Sequence, residues 1–390
     1  DELLQVIATR LQQSIRKEDT VARLGGDEFA IVSAQANPVA EAAMLAQKLV
    51  SLIAQPIMIS GQLLTISASV GIGMFPEDAA DPATLAKCAD MAMYGAKQSG
   101  RNAYAFYTAQ MTDTALETLA IDRGLRSALG NGELELFYQP QIELASGKIV
   151  GIEALIRWHR PQQGLESPAK FIPVAEESDL IDSIGNWVFD EALARLHRWH
   201  SAGLPPMRLA INLSARQLRN PRFVDNIRQR LKTFVPADGF CLELEITETV
   251  LQTAPHIVNA LNELKSLGLQ IAIDDFGTGY SSLNSLKHLP VDVLKIDRSF
   301  IHGIPEDADD KAIASAIIAM GHNLGMRVIA EGIETEEQLQ FLIGQQCDEA
   351  QGFLVHPPLR VDECERLLAA GALVHLPVQA KTASTQGTLH

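Results

Sequence analysis

Apolar positions between Leu3 and Ile15 recur at helical spacing, so the chain opens on an amphipathic helix. The short apolar run Phe29–Val32 reads as a strand, and a second helix is expected over about Val39–Ile53. Strands are expected within Gln62–Met74, a helix over about Pro82–Ser99, and a closing strand over Ala103–Tyr107. From Thr108 to Leu129 the stretch is polar, but Met111, Leu116, Leu119, Leu125 and Leu129 keep helix-compatible spacing. It reads as a connector between two domains.

After Gly130 short apolar strands alternate with longer amphipathic helices, the rhythm of parallel strands joined by crossover helices. The apolar runs finish in Tyr138-Gln139, Glu153-Ala154-Leu155, Asn212-Leu213-Ser214, Glu245-Ile246-Thr247-Glu248, Asp274-Asp275, Lys295-Ile296-Asp297, Glu331 and Gln351. An open sheet offers its ligand site mainly at one switch point. A barrel turns all its carboxyl-terminal strand ends toward one mouth, and so many polar ends favour an α/β barrel. The expected organisation is an incomplete α/β domain over 1–107, a helical connector over 108–129, the barrel over 130–377 and a flexible tail over 378–390, rich in Thr, Ser, Ala and Gln.

Composition narrows the chemistry. A chain of 390 residues with 47% apolar content is long enough for two cores. A net charge of −16 argues against duplex DNA or RNA and against an anionic membrane as partners, so a phosphate ligand needs local cations. Cys88, Cys241, Cys347 and Cys364 form no C-x-x-C pair, which points to neither disulfides nor a zinc knuckle and fits a reducing compartment. No apolar run approaches the roughly 18 residues of a membrane span, and Asp1-Glu2-Leu3-Leu4 is no signal peptide. A cytoplasmic segment of a longer parent is expected, the parent being free to carry sensory or membrane-anchored parts.

The four carboxylates Glu153, Glu245, Asp274 and Asp275, gathered with the amide Asn212 in a shared cavity, would repel one another unless divalent cations neutralised them. Taken singly, each reads as a solvated loop side chain; together they favour metal. All-oxygen ligation without a placed histidine points to magnesium or manganese rather than zinc. Adjacent aspartates suit a metal pair, provided the strand ends where they stand, because successive side chains of a regular strand diverge. The stretch Phe276-Gly277-Thr278-Gly279-Tyr280-Ser281-Ser282 suits a loop that approaches a ligand closely, or an ordinary turn.

From about Leu125 to Leu368 the sequence resembles the EAL-domain phosphodiesterases, which linearise the bacterial second messenger cyclic di-GMP. The resemblance lies in the order and spacing of Tyr138-Gln139-Pro140, Glu153-Ala154-Leu155-Ile156-Arg157-Trp158, Phe171-Ile172-Pro173, Ile211-Asn212-Leu213-Ser214, Glu245-Ile246-Thr247-Glu248, Asp274-Asp275-Phe276-Gly277, Lys295-Ile296-Asp297, Glu331-Gly332-Ile333-Glu334 and Gln351-Gly352-Phe353. It implies a modified TIM-type (β/α)8 barrel in which Glu153, Asn212, Glu245 and Asp274 hold one cation and Asp274, Asp275 and Glu331 a second. It also implies that Lys295 contacts the activated water, that Glu334 and Gln351 support the site, and that Gln139, Leu155, Arg157, Asp297 and Gln351 face the substrate. Glu248 matches the glutamate that anchors the Asp275-to-Ser282 loop, which in the family couples dimerisation through the barrel to metal binding. A homodimer and a two-metal hydrolysis of cyclic di-GMP to linear pGpG are thus expected, with Arg157 offsetting the phosphate. One departure is Pro357-Pro358-Leu359-Arg360, where many relatives carry a basic residue followed by Pro-Leu-Pro; a peripheral effect is expected.

Arg23-Leu24-Gly25-Gly26-Asp27-Glu28-Phe29 resembles the GGDEF motif of diguanylate cyclases, as do Tyr94-Gly95-Ala96-Lys97 and Gly100-Arg101-Asn102. The resemblance implies that Gly25, Gly26, Asp27, Glu28, Lys97 and Arg101 meet a nucleotide and its metal. Arg16-Lys17-Glu18-Asp19 has the offset of the family's inhibitory R-x-x-D site, through Arg16 and Asp19, although a charged loop produces that pattern easily. The strand and helix that precede the motif in the family are not in this chain, so regulatory GTP binding is expected rather than cyclisation by this segment. The alternatives are a cyclic di-GMP receptor that binds without cleaving, and a bifunctional parent with cyclase activity. Receptors usually lose metal ligands, and this sequence keeps them.

Overall fold

The computed structural model describes residues 2–34, 38–59, 61–232, 239–248, 255–278 and 286–371. The tail at 378–390 and residues 279–282 of the glycine-containing loop lie outside them. The chain forms two compact units, residues 1–121 and 122–390, and the division falls within the helix Ala109–Asn131.

In the first unit the helix Glu2–Ser14 places Ile7 and Leu11 one turn apart against Leu49 and Ile53 of the helix Pro38–Ile53. Ile57 completes that core, and Val21, Phe29 and Ile31 pack against it. Strands β1 (Thr20–Gly25) and β2 (Glu28–Val32) form an antiparallel hairpin. Strands β3 (Ile57–Ile59) and β4 (Gln62–Leu64) form another, while β5 (Val70–Ile72) and β6 (Tyr104–Phe106) pair in parallel. The hydrophobic pattern does not announce β1, because of its residues only Val21 is even half-buried. Residues 65–69 alternate like a strand, and Ile66 and Ala68 pack on the core, but they have no ladder partner among the described residues.

The second unit is a closed barrel of eight strands: β7 (Leu134–Glu143), β8 (Ile149–Arg160), β10 (Arg208–Leu213), β11 (Cys241–Thr247), β12 (Gln270–Phe276), β13 (Val293–Ile296), β14 (Arg327–Ala330) and β15 (Glu349–Ala350). The short strand β9 (Gly164–Glu166) extends the outer end of β8, and pairing of β8 with β10 closes the ring. β7 departs from the expected parallel arrangement and runs antiparallel to both of its neighbours, β8 and β15. The cause is the short connection from Glu143 to Ile149, with Gly147 at φ 72°, since a parallel crossover needs about a dozen residues. Helices cover the outside. Leu180–Ser201, for example, buries Ile181, Ile184, Val188, Phe189, Ala192, Leu193, Leu196 and Trp199 along one face.

The barrel interior inverts the usual pattern of a sheet. In β11, Leu242, Leu244 and Ile246 alternate with Glu243 and Glu245, and the two glutamates are as buried as the leucines. With apolar residues turned to the covering helices, the polar set lies on the inner face.

Candidate active site

Lys295, on β13, has no exposed surface and lies at the centre of the cluster. Its Nζ stands 2.6 Å from Glu331 Oε1, 2.8 Å from Glu245 Oε1, 3.3 Å from Asp274 Oδ1 and 3.6 Å from Glu153 Oε2. These carboxylates come from β8, β11, β12 and the residue just after β14, so the closed ring is what brings them together. Asn212, on β10, donates from Nδ2 to Glu153 Oε1 at 2.8 Å, and Gln351, just past β15, donates from Nε2 to Glu153 Oε2 at 2.6 Å.

Two adjacent aspartates serve one site because the strand is broken there. The β12 ladder shifts register between Ile273 and Phe276, and Asp275 takes φ 54°, a left-handed conformation rare for a residue with a side chain. Ligand atoms of Asp274, Asp275 and Glu331 consequently lie within 4.8 Å of one another. Among the described residues no histidine or cysteine joins this group.

Charge balance follows from burial. Burial alone would lower the Lys295 ammonium, but Asp274, Glu153, Glu245 and Glu331 raise it well above its ordinary value. Burial pushes Glu245 far up, reinforced by Glu153. Burial also raises Glu331, to about 8, with Asp274 and Glu153 adding to it. Asp275 rises to about 6 through burial, then Asp274 and Asp297. Glu153 moves the other way: burial opposes its ionisation, but Lys295 and the amides of Gln351 and Asn212 outweigh it. Both oxygens of Glu245 are buried, with the Lys295 ammonium 2.8 Å from Oε1.

Other expected residues line the same end. Gln139, buried on β7 opposite Glu153, accepts from Gln351 Nε2 at 3.0 Å and donates to the His356 carbonyl at 3.0 Å. Arg157 lies with its guanidinium 5.6 Å from the centre of the Phe137 ring, and Leu155 is opposite Phe137 in the ladder. Asp297 accepts from the Ser299 amide at 3.0 Å. Glu248 Oε2 accepts from the Gly277 amide at 2.9 Å, tying down the start of the glycine-containing loop. Glu334 is exposed, and its side chain makes no hydrogen bond or ion pair among the described residues. At the departure over 357–360, Leu359 bridges to Tyr138 through the backbone, and the exposed Arg360 lies 5.9 Å from the centre of the Phe137 ring that Arg157 also faces.

In the first unit, Gly25 and Glu28 face each other across the β1–β2 turn, Gly26 takes φ 52°, and Arg23 donates to the Gly26 carbonyl at 2.7 Å. Asp27, Glu28, Lys97 and Arg101 are exposed. Arg16 pairs with Glu41 at 3.0 Å, while Asp19 accepts from the Arg16 amide at 2.9 Å and from Ser33 Oγ.

Sequence reasoning passed over a second polar layer in the barrel. Arg208 ion-pairs with Glu243 at 3.1 Å and with Glu349 at 2.5 Å, and donates to Gln141 Oε1 at 2.7 Å. Each of these residues stands two or four positions from a site residue on its own chain segment: Gln141 from Gln139, Arg208 from Asn212, Glu243 from Glu245, Glu349 from Gln351. The period of two puts such positions on one face, and that was the signal available.

Comparison with known proteins agrees with this geometry. Residues 122–358 match the EAL domain, and residues 1–103 match the diguanylate cyclase GGDEF domain. The "Bifunctional diguanylate cyclase/cyclic di-GMP phosphodiesterase MucR" of Pseudomonas aeruginosa is 44% identical over 375 residues, covering 95% of this chain and 54% of that protein. The "Cyclic di-GMP phosphodiesterase NbdA" of Pseudomonas aeruginosa is 41% identical over 371 residues, covering 95% of this chain and 47% of that protein. The chain thus spans about half the length of these curated relatives. A solved structure described as "PaMucR Phosphodiesterase, c-di-GMP complex" is 43% identical with a TM-score of 0.60, covering 63% of this chain and 99% of that one. With the match spanning most of the barrel, the chain belongs to the EAL domain family and carries a GGDEF domain ahead of the EAL domain.

Proposed function

We propose that the barrel hydrolyses cyclic di-GMP to linear pGpG with two divalent cations. The observation that carries this reading is the gathering of Glu153, Asn212, Glu245, Asp274, Asp275 and Glu331 around Lys295 at one end of the ring. The naming of MucR and NbdA as cyclic di-GMP phosphodiesterases supports the choice of substrate.

The donor set fits hard cations. It is all oxygen, its aspartates and Glu331 converge within 4.8 Å, and the fully buried Glu245 carboxylate faces the same cluster beside Lys295. Glu153, Asn212, Glu245 and Asp274 would hold one magnesium or manganese ion, and Asp274, Asp275 and Glu331 the other. The ions would supply Lewis acidity at the phosphate and a water acidic enough to attack near neutral pH.

The chain's own residues bind and orient. Arg157, half-buried and braced on Phe137, meets the phosphate charge, while Gln139, Leu155 and Asp297 flank the substrate. Lys295 moderates the negative charge of the cluster and is placed to move a proton as the P–O3′ bond breaks and water's oxygen bonds to phosphorus. Asp275, on its strained backbone, and Glu331 present the shared edge. Glu248 holds the adjoining loop through Gly277, while the exposed Glu334 stands outside the ion-pair cluster. The GGDEF unit, with its exposed Gly26–Glu28 turn, Lys97 and Arg101, binds GTP as a regulator; the assembled parent is a homodimer through the barrel.

The test is product formation from cyclic di-GMP with magnesium or manganese, repeated with chelator and with Glu153→Ala. Undiminished pGpG in either arm would sink the two-metal reading. A rate and KM unmoved by saturating GTP would remove the regulatory part.

A further inference from the structure

We propose that Gln141, acting through Gln351, fixes the orientation of the Glu153 carboxylate, a positioning role that rests on the hydrolytic reading above. Gln141 has no exposed surface, and Arg208, Gln351 and Glu153 are each at least nine-tenths buried. Arg208 Nη2 donates to Gln141 Oε1 at 2.7 Å, Gln141 Nε2 donates to Gln351 Oε1 at 2.8 Å, and Gln351 Nε2 donates to Glu153 Oε2 at 2.6 Å. An unbroken chain of hydrogen bonds thereby runs from the second polar layer to the cation cluster.

The direction of this chain is set at its far end. A side-chain amide has a donor end and an acceptor end and could sit either way round, whereas guanidinium has donors only. Arg208 therefore compels Gln141 to turn its carbonyl toward it. The Gln141 amino group must then face Gln351, which accepts through its carbonyl and is left to donate to Glu153 and to Gln139. Turned over, the Gln351 carbonyl would oppose the carboxylate. Arg208 is itself held by Glu243 and Glu349. Gly151 leaves room for the contact, since a Cβ there would meet Gln141 Oε1 at 2.4 Å and Arg208 Nη2 at 2.9 Å. With Oε2 tied to Gln351 and Oε1 to Asn212, Glu153 cannot rotate, and its remaining lone pairs keep a fixed direction.

The experiment titrates manganese into the metal-free full chain by calorimetry, for the unsubstituted protein, Gln141→Glu, Gln141→Leu, Gln351→Leu and the double variants. Gln141→Glu preserves an acceptor for Arg208 but removes the donor, and Gln141→Leu removes both. Each is expected to weaken manganese binding about 10- to 100-fold. In the Gln351→Leu background neither substitution is expected to weaken it further. Manganese affinity within twofold of the unsubstituted protein in folded Gln141→Leu overturns the proposal. So do effects at 141 and 351 that multiply, which is the behaviour of two merely structural positions. Should Gln141→Glu not fold, the Gln141→Leu cycle decides alone. Absence of manganese binding by the unsubstituted protein refutes the hydrolytic reading instead. The relay is then decided by the Gln351 side-chain amide NMR signals, assigned by their loss in Gln351→Leu: a shift in Gln141→Leu supports it, and unchanged signals overturn it.

Discussion

Lys295 is a buried cation whose partners are all carboxylates, so its removal does two separable things. Lys295→Met leaves buried acids without their partner, a change that costs about 3–5 kcal/mol in chelator by urea unfolding. It also removes a proton-bearing group, and turnover of cyclic di-GMP is expected to drop about 10²- to 10⁴-fold. The acids make a prediction of opposite character. Asp275 and Glu331 titrate near 6 and 8 in the folded protein, above the ordinary carboxyl range, so the folded state holds protons that the unfolded chain has released. Stability of the metal-free protein therefore falls as pH rises from about 4 to about 8. On the two-cation reading, binding would displace those protons, so manganese affinity is expected to rise over the upper part of that window. Melting curves with and without manganese across pH check both signs; a metal-free midpoint that climbs with pH would refute the charge assignment. At this scale the order of motifs made Glu153, Asn212, Glu245, Asp274, Asp275, Lys295 and Glu331 legible, but not Gln141 or Arg208. These two belong to no motif; the period of two from Gln139 and Asn212 hinted at their face, and the strand register establishes it.

Among the elements, β12 shows how a local break makes a site. Its register shift and the left-handed Asp275 are invisible in the string of letters, though the need for a strand end at the paired aspartates could be argued from it. The following turn depends on Glu248 and Gly277. Glu248→Ala leaves the Gly277 amide without its acceptor and is expected to cost about 1–3 kcal/mol. Gly277→Ala is expected to be worse in the same unfolding assay, because φ is +103° and the added Cβ would stand 2.6 Å from the Phe300 ring. On the outer layer, Leu196→Ala in the helix Leu180–Ser201 should cost about 2–5 kcal/mol, since Leu196 is almost wholly buried. Long helices were legible because apolar spacing repeats over many residues. The short strand β1 was not, because of its six residues only Val21 is even half-buried, too few to show a period.

For the molecule as a whole, division into two compact units predicts two unfolding transitions in calorimetry. Only the transition of the barrel should move upward with manganese, because a ligand stabilises the unit that binds it. A single transition shifting in full would contradict independent units. Barrel architecture was legible from the number of polar strand ends. The reversed first strand was not, because the rhythm of strands says nothing of direction and the cue lay in the brief connection at Glu143–Ile149. That reversed strand governs how the protein is made. β7 waits for β15, with Ile142 pairing Ala350 and Glu143 pairing Glu349, so the first barrel strand off the ribosome finds its second neighbour only after some two hundred further residues. Gln351, the amide that clamps Glu153, arrives with that last strand. A chain cut before β15 has an open ring and an unclamped Glu153 carboxylate, so closure of the barrel and fixing of that carboxylate are one event.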